Sequence, residues 1–345
     1  MTVVEITRQT RAIEASDTGA ADIEALLHAP EPVVLKGLAS DWPLVAKGLE
    51  SADAAIAYLS RFDTNRQITG YTADSAAGGR FFYNADLTGM NFARERVGLS
   101  DYLARIRSHF DDPDPPSLYI GSTDIDLYLP GFASENPSPV ASDTLATYPP
   151  LASIWIGNRT IASAHWDMSN NIAICAVGRR RFTLFPPDQV ANLYPGPIEP
   201  TPGGQVVSMV DFDAPDFARH PGFRDAVAAA EIAELDPGDV LIYPALWWHQ
   251  VEALDRFNVL VNYWWNEAQD FADTPMTTLL HGLLALRDRP LPEKQAWRTL
   301  FDYYVFGPAQ QAGAHLPEHA RGPLGQLDEA SARRLRAQVL QRLNR

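Results

Sequence analysis

The chain has 345 residues, of which 46% are hydrophobic and 10% aromatic, and its formal net charge is −15 at pH 7. This composition supports a sizeable core and excludes a disordered chain, and the acidic balance argues against general binding of nucleic acid. The single cysteine, Cys175, excludes an intrachain disulfide framework and lies in the apolar run 172–177, which favours a buried structural thiol over a nucleophile. No uncharged apolar run is long enough to span a bilayer, so we expect a cytoplasmic protein with no membrane segment.

The first part of the chain, to about residue 112, predicts a mixture of short helices and strands. Residues 21–28 are predicted as a helix, and residues 32–37 as a short buried strand that ends at a glycine. Ser100 is predicted to cap the next helix, because apolar residues recur there at helical spacing. These residues are Leu99, Tyr102, Leu103, Ile106 and Phe110.

From residue 117 to residue 265 the sequence predicts short strands separated by proline, glycine, asparagine and aspartate. Such punctuation favours an antiparallel sandwich or barrel over a parallel sheet. A stretch from 186 to 231 is too long for a hairpin connection, and we expect it to cover or shape a site. The clearest predicted strands are residues 118–120, 153–156, 171–177, 181–185, 239–243 and 258–264.

The tail is predicted to be helical from about residue 270. One apolar stripe follows residues 276–284, a second follows residues 297–304, and a last helix is predicted at 328–343. The stripes can pack on the strand-rich domain or on the same helices of a second subunit, and the pattern alone favours neither.

Two histidines and one aspartate form the candidate metal site. His165 and Asp167 are two residues apart, and His249 lies far downstream. This ligand set suits a non-haem Fe(II) oxygenase, because it occupies one face of an octahedral metal and leaves three positions free. Side chains at i and i+2 share one side of a strand, so the third ligand must come from a different strand. The alternative is that each residue has an ordinary surface or core role.

The sequence before His249 predicts how it reaches the site. Residues 236–244 indicate a turn, a buried strand and a proline stop, which would place His249 at a strand end. The two preceding residues, Trp247 and Trp248, are expected to form a wall that keeps the site dry.

A candidate anion anchor lies in the segment 178–185. Its alternation places Arg180 on one face with Phe182 and Leu184, and Arg179 and Arg181 on the other. A guanidinium on an apolar face needs an anionic partner, and it can bind a carboxylate bidentately. The alternatives are that all three arginines are solvated, that Arg180 pairs with a protein acid, or that a neighbouring arginine is the anchor.

Several of these motifs together resemble the JmjC-type cupin oxygenases, most strongly the subgroup of the asparaginyl hydroxylase factor inhibiting HIF. The resemblance runs from about residue 150 to residue 265, with a weaker match at residues 32–38 and at Trp42-Pro43. The motifs are His165-Trp166-Asp167, the Gly178 turn into residues 182–189, Leu193-Tyr194-Pro195, residues 210–213, and Pro237-Gly238-Asp239 through to Trp247-Trp248-His249.

The resemblance implies a mainly β protein, a double-stranded β-helix (jelly roll) with flanking helices and a C-terminal helical segment. It implies a catalytic domain over residues 1–269 with an N-terminal α/β elaboration, and a helical region at 270–345 that can form a homodimer. By motif position, His165, Asp167 and His249 correspond to the ligands of Fe(II), and Arg180 to the residue that binds the distal carboxylate of 2-oxoglutarate. Polar groups beside this cosubstrate correspond to Tyr119, Asn171 and Asn262.

The chain departs from the subgroup at two positions. Arg180 stands where the subgroup usually has lysine, and Ala162 stands where a threonine often contacts 2-oxoglutarate. Ser163 or Thr160 is a candidate replacement for that hydroxyl.

The leading hypothesis is therefore an Fe(II)- and 2-oxoglutarate-dependent dioxygenase that hydroxylates a protein or peptide side chain, with O2 as co-reactant. One alternative is a cupin metalloenzyme with the same ligands that does not use 2-oxoglutarate. Another is a non-catalytic binding module whose metal is structural. Fold does not choose a substrate among relatives.

Overall fold

The computed structural model describes residues 5–344, apart from the side chains of Ala20 and Ala21. The chain divides into two compact units at the boundary between Asn266 and Glu267. The first unit contains two β-sheets and their flanking helices, and the described part of the second unit is helical. No helix in residues 5–344 is long and apolar enough to cross a bilayer.

The strands all belong to the first unit. In chain order they are β1 (Arg11–Glu14), β2 (Val33–Lys36), β3 (Gln67–Ala73), β4 (Arg80–Phe81), β5 (Phe92–Gly98), β6 (Ser117–Asp124), β7 (Leu151–Gly157), β8 (Ile161–Trp166), β9 (Asn170–Val177), β10 (Arg180–Phe185), β11 (Glu231–Leu235), β12 (Val240–Tyr243), β13 (Trp248–Ala253) and β14 (Asn258–Trp265).

The helices of the first unit are α1 (Ala20–Leu27), α2 (Pro43–Glu50), α3 (Ala52–Ser60), α4 (Leu99–Ser108), α5 (Ile125–Tyr128), α6 (Phe132–Glu135), α7 (Asp143–Thr147) and α8 (Phe223–Ala229). Those of the second unit are α9 (Pro275–Ala285), α10 (Leu291–Phe301) and α11 (Glu329–Leu343), with a π-helical turn at Asp302–Phe306.

The two sheets are consistent with the predicted jelly roll. The larger sheet has the order β1-β2-β12-β9-β14-β7-β6-β3-β5, and the smaller has the order β11-β10-β13-β8-β4. Most pairings are antiparallel, as in β10 with β13 and in β14 with β9. Consecutive strands such as β8 and β9 alternate between the sheets, which is how this fold encloses a site between them.

Apolar residues from both sheets meet in what we call the inter-sheet core. The smaller sheet contributes residues such as Phe182, Leu184 and Val251, and the larger sheet contributes residues such as Ala173 and Leu260. A second cluster packs helices on the other side of the larger sheet, and a third lies beneath the 186–231 stretch.

The six strands predicted from apolar runs are confirmed as β6, β7, β9, β10, β12 and β14, and the predicted N-terminal helix and strand as α1 and β2. The prediction that Ser100 caps α4 is wrong. The N-cap is Gly98, and the backbone N–H of Ser100 donates to the Asp63 carboxylate at 3.0 Å.

Candidate metal centre

The structure brings the three predicted metal-ligand residues together. One ligand atom from each of His165, Asp167 and His249 lies within 4.8 Å of the others. The two imidazole rings are 4.3 Å apart between centroids, and Asp167 Oδ2 is 3.7 Å from His249 Nε2. Within residues 5–344, no other group of three or more histidine, cysteine or acidic side chains has the spacing of a metal site.

Adjacent strands of the smaller sheet position these candidate ligands. His165 lies in β8 directly opposite His249 in β13, and Asp167 follows the end of β8. The prediction that His249 lies at the end of the strand 239–243 is wrong, since it is the second residue of the next strand, β13. The N–H of Leu246, in the turn before β13, donates to the Asp167 carbonyl at 2.8 Å and ties that turn to the aspartate.

A β-bulge in β8 re-aims the side chains beside the site. His249 pairs with His165, but Val251, two residues on, pairs with Ala162, three residues back. Opposed residues share a face, so the bulge turns both Ala162 and His165 toward the inter-sheet core.

Backbone carbonyls orient both imidazoles. His165 Nδ1 lies 2.9 Å from the Ser163 carbonyl, and His249 Nδ1 lies 3.0 Å from the Trp247 carbonyl. With Nδ1–H donating in each ring, Nε2 carries the free lone pair. Burial, reinforced by the nearby His165, lowers the pKa of His249 to about 4. A neutral His249 is the form that binds a metal, so the donor set is compatible with iron binding.

Arg180 lies at the far end of the inter-sheet core. It is only 2% exposed, and its Nε and Nη2 have no hydrogen-bond partner among the described residues. In β10 it is four residues from Leu184, which pairs with His249, so about 13 Å of strand separates the two ends. Burial lowers the pKa of Arg180, although a guanidinium stays charged in proteins. A buried cation with free N–H groups fits a bound anion.

The neighbouring arginines face outward and have protein partners. Arg179 pairs with Asp255 at 3.0 Å, and Arg181 pairs with Glu234 at 2.8 Å. The register is set at the Gly178 turn, where φ is +69° and an added Cβ would lie 2.6 Å from the Phe257 carbonyl. Of the three arginines, Arg180 is therefore the one available to a ligand between the sheets.

The three polar residues expected beside the cosubstrate lie on strands of the larger sheet, opposite the smaller sheet that carries Arg180. Asn262 Nδ2 donates to Asn171 Oδ1 at 3.1 Å, while the Asn262 Oδ1 has no partner among residues 5–344. Tyr119 stacks on Trp155 with ring centroids 5.8 Å apart. Burial raises the pKa of Tyr119 to about 12, although the charge of Arg180 opposes this.

Two further expectations are corrected by the packing. Trp247 does belong to the inter-sheet core, but Trp248 packs on the opposite face, in the cluster beneath the 186–231 stretch. Ser163 does not replace the missing threonine hydroxyl, because its Oγ accepts from Arg80 Nε at 3.1 Å on the outer side of the bulge.

Sequence reasoning missed Tyr243 and Arg80. The Tyr243 ring is 4.9 Å from that of His249, and burial, with the charge of Asp167, raises its pKa well above the usual range. Alternation along β12 could have placed Tyr243 on the face of Leu241, between the sheets. No local signal marks Arg80, because its contacts join it to residues 83 and 130 positions away.

Parts of the chain are similar in sequence to a protein family and to several known proteins. The model of the family described as "Cupin-like domain" matches residues 20–271. Human HSPB1-associated protein 1 is 33% identical over 151 residues, which cover 42% of this chain and 30% of that protein. The lysine-specific demethylase JMJ31 of Arabidopsis thaliana is 25% identical over 275 residues, or 71% of this chain and 48% of that protein.

A third relative is the tRNA wybutosine-synthesizing protein 5 of Gallus gallus, 35% identical over 114 residues, which cover 32% of this chain and 33% of that protein. The chain thus spans about a third to a half of the length of the curated relatives it matches. The family match covers most of the chain and includes every strand except β1, together with the histidine–aspartate–histidine cluster. The chain belongs to the family of cupin-like, JmjC-type domains.

Proposed function

We propose that the protein is an Fe(II)- and 2-oxoglutarate-dependent dioxygenase that hydroxylates a protein or peptide side chain. The observation that carries the proposal is the pairing of two features between the same sheets. A histidine–aspartate–histidine cluster lies at one end, and the unpaired guanidinium of Arg180 lies at the other. An ordinary structural metal site would not need a buried unpaired cation one strand length away.

Each residue then has a definite task. His165 and His249, oriented through Nδ1, and the Asp167 carboxylate would hold the metal. Arg180 would bind the distal carboxylate of 2-oxoglutarate, and Tyr119 would contribute a phenol near it. Bound Fe(II), with 2-oxoglutarate and O2, supplies the power to oxidise a C–H bond.

The remaining residues shape and dry the site. Asn171 and Asn262 form a hydrogen-bonded pair that offers a free amide oxygen. Apolar side chains of the inter-sheet core exclude water between the two ends, which would strengthen the ion pair that Arg180 makes with a bound carboxylate. Within the family, we propose that the chain belongs to the subgroup of factor inhibiting HIF; the motifs between His165 and His249 support this proposal.

Metal analysis combined with an anaerobic titration of Fe(II) and then 2-oxoglutarate tests the proposal. We expect one iron per chain, a visible charge-transfer band when 2-oxoglutarate is added, and succinate formation when O2 is admitted. Iron binding without the band would favour a cupin metalloenzyme that does not use 2-oxoglutarate. A protein that binds metal but has neither band nor turnover would be a non-catalytic module.

We propose a protein or peptide as the oxidised substrate. The relatives include proteins named for lysine demethylation and for tRNA wybutosine synthesis, so their names alone do not decide the class. The net charge of −15 supports a protein substrate, because binding to RNA phosphates relies on cationic surface. Stimulation of succinate formation by tRNA and not by peptide pools would contradict this choice.

We also propose that the second unit forms a homodimer in the cytoplasm. Its helices expose apolar side chains that a stable monomer rarely leaves in water, among them Leu284 (80%) and Phe306 (75%). Light scattering at micromolar concentration should give twice the chain mass, and Leu284→Glu should reduce it to the monomer. A monomeric wild-type protein would refute the dimer, and a membrane-bound fraction on cell fractionation would refute the location.

A further inference from the structure

Strand β8, which carries the first ligand, has one incompletely covered edge. Its other edge pairs with β13 along its length. On the exposed side, β4 lies beside the first two residues of β8. The 186–231 stretch lies beside the C-terminal half of β8. There Val207 forms an isolated β-bridge with His165, and the Ser208 N–H donates to the Ala164 carbonyl at 2.7 Å. Ser163 falls between these two supports, at the bulge.

Arg80 closes this gap. Its Nε donates to Ser163 Oγ at 3.1 Å, and its Nη2 donates to the Val210 carbonyl at 3.0 Å. Its guanidinium lies 3.8 Å from the centre of the Phe82 ring, and Asp211 provides a carboxylate at 3.7 Å. The side chain is only 18% exposed. One planar group thus joins β4, the bulge and the long stretch, and this needs the several fixed N–H directions of an arginine.

The bulge in turn sets the orientation of His165. The carbonyl of Ser163 accepts from His165 Nδ1 at 2.9 Å. A rotation of the Ser163 peptide would therefore turn the imidazole or free its Nδ1–H. Groups that orient metal ligands through such hydrogen bonds typically change metal affinity by about 10–100-fold when they are removed.

We propose that Arg80 is a positioning residue for the metal centre, which acts through Ser163 to hold the β8 bulge and the His165 imidazole in the ligand geometry. This inference rests on the proposed metal site. It goes beyond that site because it assigns a role to a residue that is neither a ligand nor part of the space between the sheets.

Arg105 provides a matched control for a purely structural arginine. Its guanidinium also contacts a strand hydroxyl (Thr72 Oγ1, 3.2 Å), a carboxylate (Glu95, 2.5 Å) and an aromatic ring (Tyr102, 5.5 Å to the centroid). Thr72 lies in β3 and Glu95 in β5, at the edge of the larger sheet, and Tyr102 lies in α4, so none of these contacts involves β8 or β13.

The experiment compares the metal affinity and the apo stability of the full chain. Co(II), an oxygen-tolerant probe with a visible spectrum, is titrated into the wild type, Arg80→Lys, Ser163→Ala, their double variant and Arg105→Lys. Melting temperatures are measured without metal. We expect Arg80→Lys and Ser163→Ala each to weaken Co(II) binding about 10-fold and to alter its spectrum. The double variant should bind Co(II) no more weakly than Arg80→Lys alone, because both changes remove the same hydrogen bond between Arg80 and Ser163.

Arg105→Lys should lower the apo melting temperature about as much as Arg80→Lys and leave Co(II) binding unchanged. If Arg80→Lys and Ser163→Ala lower only the melting temperature, with wild-type affinity and spectrum, Arg80 is a structural residue and the inference is overturned. If the wild type itself binds neither Co(II) nor Fe(II), the proposed function fails first and the inference falls with it.

Discussion

The two ends of the inter-sheet core differ in whether their polar groups already have protein partners. At the metal end, both imidazoles are already oriented by backbone carbonyls, and the ligand atoms are already within 4.8 Å of one another. At the arginine end, a charged group is buried with two nitrogen atoms unpaired among the described residues. The first end is preorganised for its ligand, while the second is costly until an anion arrives. For the proposed site, this difference means that the fold would set the metal geometry and that the unpaired charge of Arg180 would select an anion.

The largest effect is expected at the metal end. Asp167→Ala removes one of the three proposed ligands and its negative charge, so iron binding and succinate formation should both be abolished. Iron content after anaerobic loading measures this directly. Asp188→Ala, at an exposed carboxylate, is the control and should behave as the wild type. Unchanged turnover in Asp167→Ala would remove the assignment of the site.

Cys175 reports whether the arginine end is dry. Burial raises the pKa of Cys175 to about 12, against the opposing charge of Arg180. At pH 8 the reactive thiolate should be about a thousandfold scarcer than for an exposed thiol, so labelling by a thiol reagent should be correspondingly slow. The same protein in urea should react at the normal rate. Fast labelling of the folded protein would mean that water reaches this end.

Replacing the unpaired charge should stabilise the apo protein. Arg180→Met removes the cost of a buried cation and keeps an apolar side chain of similar length, so the free energy of unfolding should rise by about 1–2 kcal/mol in urea titrations. Arg181→Met, which breaks a partly exposed ion pair with Glu234, should change it by less than about 1 kcal/mol. A loss of stability in Arg180→Met would show that the guanidinium has a partner in the apo protein.

The smallest effect is expected from a substitution that keeps the positive charge at residue 180 and replaces the planar guanidinium by an ammonium group. Arg180→Lys should still support formation of the 2-oxoglutarate complex, with affinity several-fold lower, because an ammonium group cannot bind the carboxylate bidentately. Dissociation constants from anaerobic titrations of the iron-loaded protein measure the effect. Equal affinities would mean that only the charge at this position matters.

A strand can be predicted from the sequence when its own residues favour a strand, and not when pairing with distant residues stabilises it. β9 and β12 are runs of β-branched and other apolar residues, so their sequence alone predicts them. β8 reads Ile-Ala-Ser-Ala-His-Trp and β13 reads Trp-His-Gln-Val-Glu-Ala, with little local preference for a strand. They are ordered by pairing with each other, by β10 beside β13, and by the long stretch that covers part of β8. This is why His249 was expected at the end of the wrong strand.

The candidate site shows the same division. Spacing and motif position brought out His165, Asp167, His249 and Arg180, because these residues have local signatures. The bulge that turns Ala162 inward, and the contact of Arg80 with Ser163, depend on register between strands that are distant in sequence. A single sequence carries no signal for such a register.

We propose that the inter-sheet core holds a metal at its histidine–aspartate–histidine end and an anionic cosubstrate at Arg180. Anaerobic titration of 2-oxoglutarate into iron-loaded wild type and Arg180→Met tests it most directly, with iron content and the visible charge-transfer band as the two readouts. We expect equal iron content in both proteins, a saturable band in the wild type, and at least a ~10-fold weaker response in Arg180→Met. A wild type without the band, or an Arg180→Met protein that gives it at the same concentrations, would show that Arg180 does not hold 2-oxoglutarate beside the metal.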